Sequence, residues 1–279
     1  MRISLSTGSL YHRGLAYTLA LARDAGFDGV ELVVGLDYAL GGLKRVTRLV
    51  REAEIPVFSV HPPFVRFPGW PRPVALRVLR MVDLARAVGA PVVVLHPPLI
   101  RSPQTPRAQR YTYALRLAHI MAGEDGPAVG LETIQYNKRE QRYYLDDAAT
   151  LTAFAAERGC GITYDTCHAG ANGEDILATY ELLRPALVNV HLSDVEWDEG
   201  YPRTHRIPGL GALPLAELVS RMARDGYDGP LTLEVHPKFI PLLGRARQLA
   251  MLRDTVARVR AMASDTLLPL APQEEGVGG

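Results

Sequence analysis

Short apolar runs alternate with longer amphipathic ones along almost the whole chain. The runs Arg2–Ser6, Gly29–Val33, Pro56–His61, Pro91–His96, Ala128–Glu132, Gly161–Asp165, Ala186–His191 and Pro230–Glu234 are continuous in hydrophobicity. That pattern marks strands buried on both faces, as in parallel sheets. After them, Leu15–Ala25, Leu43–Ala53, Val74–Val88, Gln109–Ala122, Leu145–Arg158, Glu174–Leu183, Pro214–Asp225 and Leu242–Ala263 carry apolar residues at helical spacing, and Gly26 stops the first of them. One strand–helix unit repeated through the chain predicts an α/β protein of the (β/α)8 barrel type. It is read as a single domain over residues 1–265, with 266–279, rich in Pro, Gly and Glu, as a mobile tail. A doubly wound open sheet is the competing topology, but no glycine-rich phosphate loop opens the first helix.

Composition narrows the class only a little. The 279 residues are 47% hydrophobic and 22% charged, with a net charge of +1. These values fit a globular chain with a sizeable core and give no global case for nucleic acid or an anionic membrane. No apolar stretch is long enough to span a bilayer, and MRISLSTGS reads as a first strand rather than a signal peptide. Cys160 and Cys167 lack metal-ribbon spacing and suit a reduced, cytoplasmic compartment as buried thiols.

The candidate chemistry lies where the strands end. Glu31, His61, His96, Glu132, Asp165, His191 and Glu234 close or follow apolar runs, and His168 stands three residues beyond Asp165 in GITYDTCHAGANG. Of eight histidines, only His12 and His119 fall away from these ends. In a (β/α)8 barrel the carboxyl ends of the strands form the active-site rim. Imidazoles and carboxylates crowded on one rim are stabilised by a divalent cation, and the mixed donor set suits zinc, manganese, cobalt or iron. Glu132, Asp165, His191 and Glu234 come from the last four strands in succession and form the most secure single site. Glu31 is as readily a partner of a neighbouring barrel residue as a catalytic group. Asp194 and Glu196 are expected on a loop surface, with Asp194 near enough to His191 to orient it, and His236 is expected just behind the site.

Nearly the whole chain resembles the xylose isomerase-like TIM barrel superfamily, which contains sugar isomerases and epimerases and also endonuclease IV. The residues that carry the resemblance are His61, His96, Glu132, the DTCH step of Asp165–His168, His191, the His205–Gly211 loop and Glu234. By that resemblance His61, His96 and Glu132 match a first endonuclease IV metal site. Glu132, Asp165, His191 and Glu234 match a second, and His168 and His205 match two ligands of a third. Arg203 stands where the third site has an Asp, so the resemblance implies one to three ions. The proline-rich segments after His61 and His96, and the one after Glu132, depart from the DNA-reading loops of endonuclease IV.

The preferred expectation is an isomerase or epimerase acting on a small sugar, sugar phosphate or hydroxy acid. Glu132 and Glu234 would exchange the proton next to a carbonyl, and His168 and His205 would bind hydroxyls. Arg203 or Arg206 would hold a phosphate or carboxylate, and Phe64 and Trp70 would exclude water. Trp70 as loop packing and Arg206 as a solvated charge are the plainer readings of those two residues. The alternative is a multi-metal phosphodiesterase acting on abasic DNA, which makes better use of His61 and His96. A non-catalytic metal- or ligand-binding barrel is the third. The resemblance also implies a possible homo-oligomer.

Overall fold

The computed structural model describes residues 1–135, 144–242 and 244–264. The expected tail at 266–279 and the middle of the polar segment after Glu132 lie outside these residues. Eight parallel strands close into a barrel: β1 (Arg2–Ser6), β2 (Gly29–Val33), β3 (Val57–His61), β4 (Val92–Leu95), β5 (Ala128–Glu132), β6 (Gly161–Asp165), β7 (Leu187–Leu192) and β10 (Pro230–Leu233). The helices α1 (Leu15–Ala25), α2 (Leu36–Ala53), α3 (Val74–Val88), α4 (Pro106–Ala122), α5 (Ala148–Ala156), α7 (Ile176–Leu183), α8 (Leu215–Arg224) and α9 (Arg245–Ala263) lie between or after them. The open doubly wound sheet is thereby excluded. A continuous apolar core fills the space between strands and helices, with Leu5, Val30, Leu131, Ile162, Val190 and Leu231 all fully buried.

Register carries the rim into place. β1 pairs β10 and closes the ring, and Asp165 of β6 stands beside His191 of β7. Glu31 of β2 stands beside Ser59 of β3 in the same way. Below the rim the interior is polar: Ser4 Oγ lies 2.8 Å from Thr232 Oγ1, whose hydroxyl donates to Asn189 Oδ1 at 3.2 Å.

Four features depart from the expectations drawn from the sequence. The glycine-rich run after Asp165 is a short helix, α6 (Thr166–Asn172), capped by the Asp165 side chain. The polar segment after His191 is a hairpin, β8 (Asp194–Asp198) and β9 (Tyr201–Arg206). Glu199 and Gly200, both at positive φ, make its two-residue turn, the backbone that such tight turns require. α2 begins seven residues before the expected Leu43 and is broken at Gly42, whose φ of 59° interrupts the helical ladder. α5 begins at Ala148 rather than Leu145, because Asp147 caps it by accepting from Thr150 N.

Candidate active site

The last residue of β5, Glu132, and of β6, Asp165, together with His191 of β7 and Glu234 just past β10, offer ligand atoms that all lie within 4.8 Å of one another. All four side chains are buried. Atoms bound to one ion at about 2.0–2.2 Å lie at most about 4.4 Å apart, so the four need only small side-chain adjustment to share a cation.

Local structure aims each group. Asp165 caps α6 through one oxygen, Oδ1 accepting from His168 N at 2.8 Å, and this leaves Oδ2 turned toward the cluster. Asp165 N donates in turn to Thr133 Oγ1 at 2.8 Å. His191 Nε2 lies 2.9 Å from Glu31 Oε2, which also accepts from Ser59 Oγ at 2.8 Å. Glu31 is therefore the partner of His191 across the barrel. With Nε2–H donating there, Nδ1 faces Glu234 Oε2 at 2.9 Å, Glu132 Oε1 at 3.3 Å and Asp165 Oδ2 at 3.7 Å. A bare lone pair among three carboxylates is repulsive, so a proton or a cation must sit there.

The titration behaviour has the same origin. Burial alone would strip the proton from His191, but the carboxylates of Glu31, Glu132 and Glu234 outweigh it and hold its pKa well above 6.5. Burial would protonate Glu132, yet the imidazoles of His96 and His191 keep its carboxyl well below the usual range. Glu234 is lowered by His191, and Asp165 by His168, in both cases against burial. Glu132 Oε2, Asp165 Oδ2 and Glu234 Oε2 are buried without an aligned hydrogen bond. Orphaned buried acceptors are costly, and a divalent cation at His191 Nδ1 would satisfy those of Asp165 and Glu234, while Glu132 Oε2 faces the imidazoles of His96 and His61. The residues therefore fit a metal by donor type, spacing and unmet bonding.

Two smaller groupings flank the cluster. His61, His96 and Glu132 converge, with His96 Nε2 2.9 Å from Glu132 Oε2 and 3.0 Å from His61 Nε2. On the other side Asp165, Cys167, His168 and His205 converge. His168 Nδ1 lies 2.9 Å from the Thr133 carbonyl oxygen and His205 Nδ1 lies 3.2 Å from that of Glu234. Each therefore donates to the backbone, which leaves Nε2 as the free nitrogen. Cys167 is fully buried, and burial pushes its thiol pKa well up.

Asp194 corrects the loop-surface expectation, because it is fully buried. Its carboxylate accepts from the backbone N–H groups of Val195, Gly209, Gly211 and Leu213, at 2.9–3.0 Å. It thus ties the segment after β9 to the hairpin that holds His205, itself at a φ of 56°. A Cβ on Gly211 would stand 2.4 Å from Asp194 Oδ1, so only glycine fits that position. Glu196 remains outside and pairs with Arg206.

The residues expected to touch substrate divide. Phe64 packs edge-on against His61, ring centroids 5.1 Å apart, and lines a cavity of about 540 Å³ that meets the cluster at Glu234 and His205. Trp70 is buried against Tyr38 and Phe67, behind the cavity wall, and supports its loop. Arg203 is engaged by Asp198 on the hairpin, and Arg206 by Glu196 with its guanidinium over Phe239. Neither lines the cavity, whose arginines are Arg13 and Arg66. His236 lines it too, rather than lying behind a ligand. No pattern in the sequence marks Arg13 or Arg66, because both sit in irregular segments.

Among the described residues no helix is long and apolar enough to cross a membrane. An uncharacterised protein of Mycobacterium tuberculosis is 29% identical over 259 residues, covering 84% of this chain and 89% of that protein. A crystal structure of a D-tagatose 3-epimerase-like protein superposes with a TM-score of 0.70 at 21% identity, over 95% of this chain and 99% of that one. An L-ribulose 3-epimerase superposes at 0.71 and 19% identity, over 95% of each chain. At these identities the two structures share the fold. Residues 19–255 match the family described as xylose isomerase-like TIM barrel, and the chain belongs to that family.

Proposed function

We propose that the protein is an isomerase or epimerase that moves a proton on a carbon next to a carbonyl of a sugar, sugar phosphate or hydroxy acid. A divalent cation held by Glu132, Asp165, His191 and Glu234 would supply Lewis acidity toward the adjacent carbonyl and hydroxyl oxygens. The observation that carries the reading is the convergence of three buried carboxylate oxygens, Glu234 Oε2, Glu132 Oε1 and Asp165 Oδ2, on His191 Nδ1 at 2.9, 3.3 and 3.7 Å. Two of them, on Glu132 and Glu234, stand on opposite sides of β6 and β7 in the strand order. That arrangement suits one carboxylate to remove a proton and the other to return it. The neighbouring imidazoles favour the ionised form that the removing group needs, and the returning group donates a proton that it has first taken up from solvent. The free Nε2 atoms of His168 and His205 are disposed to bind hydroxyls, and Phe64, above His61, shields the reacting carbon from water. The L-ribulose 3-epimerase and the D-tagatose 3-epimerase-like protein that share the fold support the reaction class.

The test is solvent deuterium incorporation into a panel of ketoses, followed by NMR after loading with zinc, manganese or cobalt. Exchange should fall at least about a hundredfold in Glu132→Gln and Glu234→Gln, the scale of a lost general base. The His61, His96 and Glu132 grouping favours a second reading, the multi-metal phosphodiesterase. Elemental analysis separates the two. About one ion per chain supports the isomerase. Two or three ions that fall in His61→Ala or His96→Ala, together with cleavage of an abasic-site duplex, overturn it.

A further inference from the structure

The cavity beside the cluster has the wrong lining for a bare polyol. Its walls near Phe64 are formed by Val33, Tyr38, Val65 and Phe67, and its hydrogen-bonding groups are few. Thr7 Oγ1 is occupied by Val33 N at 2.8 Å, and Asp37 by Leu15 N and Arg45. A sugar with a hydroxyl on each carbon would find few protein partners on those walls. An apolar group would gain from the same walls. At about 540 Å³ the space suits a drug-sized ligand.

The charge in the cavity is just as uneven. Arg13 and Arg66 both line it, and among the described residues neither has a carboxylate within ion-pair distance. Arg13 spends one nitrogen on the Leu242 carbonyl and keeps Nε buried without a partner. Asp37, the acid on this wall, is neutralised by Arg45 at 2.7 Å. At the other end stands Glu234, so an anion would be repelled from the cluster and drawn to the arginines.

We propose that the substrate is a sugar conjugate rather than a free sugar, its apolar substituent seated against Phe64, Phe67 and Tyr38 and its anionic end held by Arg13 and Arg66. This rests on the reading of the cluster as the reacting centre. The polyol part lies at the cluster and the substituent points toward β1 and β2. Phe64 is the boundary between the two, packed on His61 on one side and lying over Gly8, where an added Cβ would stand 2.3 Å from its ring.

The test compares deuterium exchange by the metal-loaded enzyme on D-fructose and on its 1-O- and 6-O-benzyl and 4-carboxybenzyl ethers. At least one carboxybenzyl ether should exceed fructose in kcat/KM by tenfold or more. Its advantage over the matching benzyl ether should vanish in Arg13→Gln or Arg66→Gln. A second readout is independent of turnover: binding of 3-phenylpropionate by calorimetry, expected to be at least fivefold tighter than 3-phenylpropan-1-ol and to lose that margin in the same variants. Ethers no faster than fructose, with 3-phenylpropionate binding indifferent to both arginines, would sink the proposal and leave the isomerase reading standing. Arginine-dependent binding with no exchange on any ketose would support the cavity assignment and overturn the isomerase reading instead.

Discussion

His191 is held between two kinds of acid. Glu31 fixes its Nε2 and takes no part in the cluster, while Glu132, Asp165 and Glu234 surround its Nδ1. Glu31→Gln keeps the size and removes the charge that orients the ring, and it should weaken metal binding by about 10–100-fold. Competition against a chelator measures this, and an unchanged affinity would show that the ring is held by packing alone. The same ring makes the stability of the apoprotein depend on pH. A raised imidazole pKa contributes stability that is complete below its unfolded value near 6.5 and lost as pH rises through the folded value. The lowered carboxylates Glu132 and Glu234 contribute above their unfolded values near 4.5 and lose it as pH falls through the folded ones. Chelated protein should therefore melt at lower temperature at pH 9 than at pH 6.5. Loaded protein should not, because the cation replaces the proton.

At the scale of single elements, one buried carboxylate ties the hairpin β8–β9 to the segment that follows it. Asp194→Ala leaves four backbone N–H groups without that acceptor, each costing about 1–3 kcal/mol when it stays buried. Denaturant unfolding should register a loss of at least about 3 kcal/mol. Gly211→Ala, which brings a Cβ to 2.4 Å from Asp194, should lose a similar share. A change under about 0.5 kcal/mol in both would show that the segment is anchored elsewhere. Elements of this size also mark the limit of what could be read from the chain. The barrel strands and helices such as Leu15–Ala25 were legible because long apolar runs and a terminal glycine leave a periodic trace. The hairpin left none, since its exposed residues need no apolar alternation. α6 was hidden because its glycine and asparagine read as loop. The residues of the cluster were legible because each lies at or just past the end of a strand. Arg13 and Arg66 were not, because only the closed barrel brings their segments to one cavity.

For the whole molecule, the cluster is a concentration of buried negative charge that a cation relieves. Loading at a free-metal concentration about a hundred times Kd should stabilise the fold by about 2.7 kcal/mol. For a chain of this size that corresponds to a rise in melting temperature of about 5–10 °C. Calorimetry with and without chelator tests this, and coincident transitions would mean that the cluster binds no cation.

The ring closes between its first and last strands, Arg2 beside Pro230 and Leu5 beside Leu233. A chain leaving the ribosome therefore carries β1 unpartnered on one edge until β10 has been made. Glu234, the last residue of the cluster, follows one residue after that closing strand. His61, His96 and Glu132 are synthesised long before it. The nascent protein thus cannot assemble the four-residue cluster until the closing strand β10 has been made.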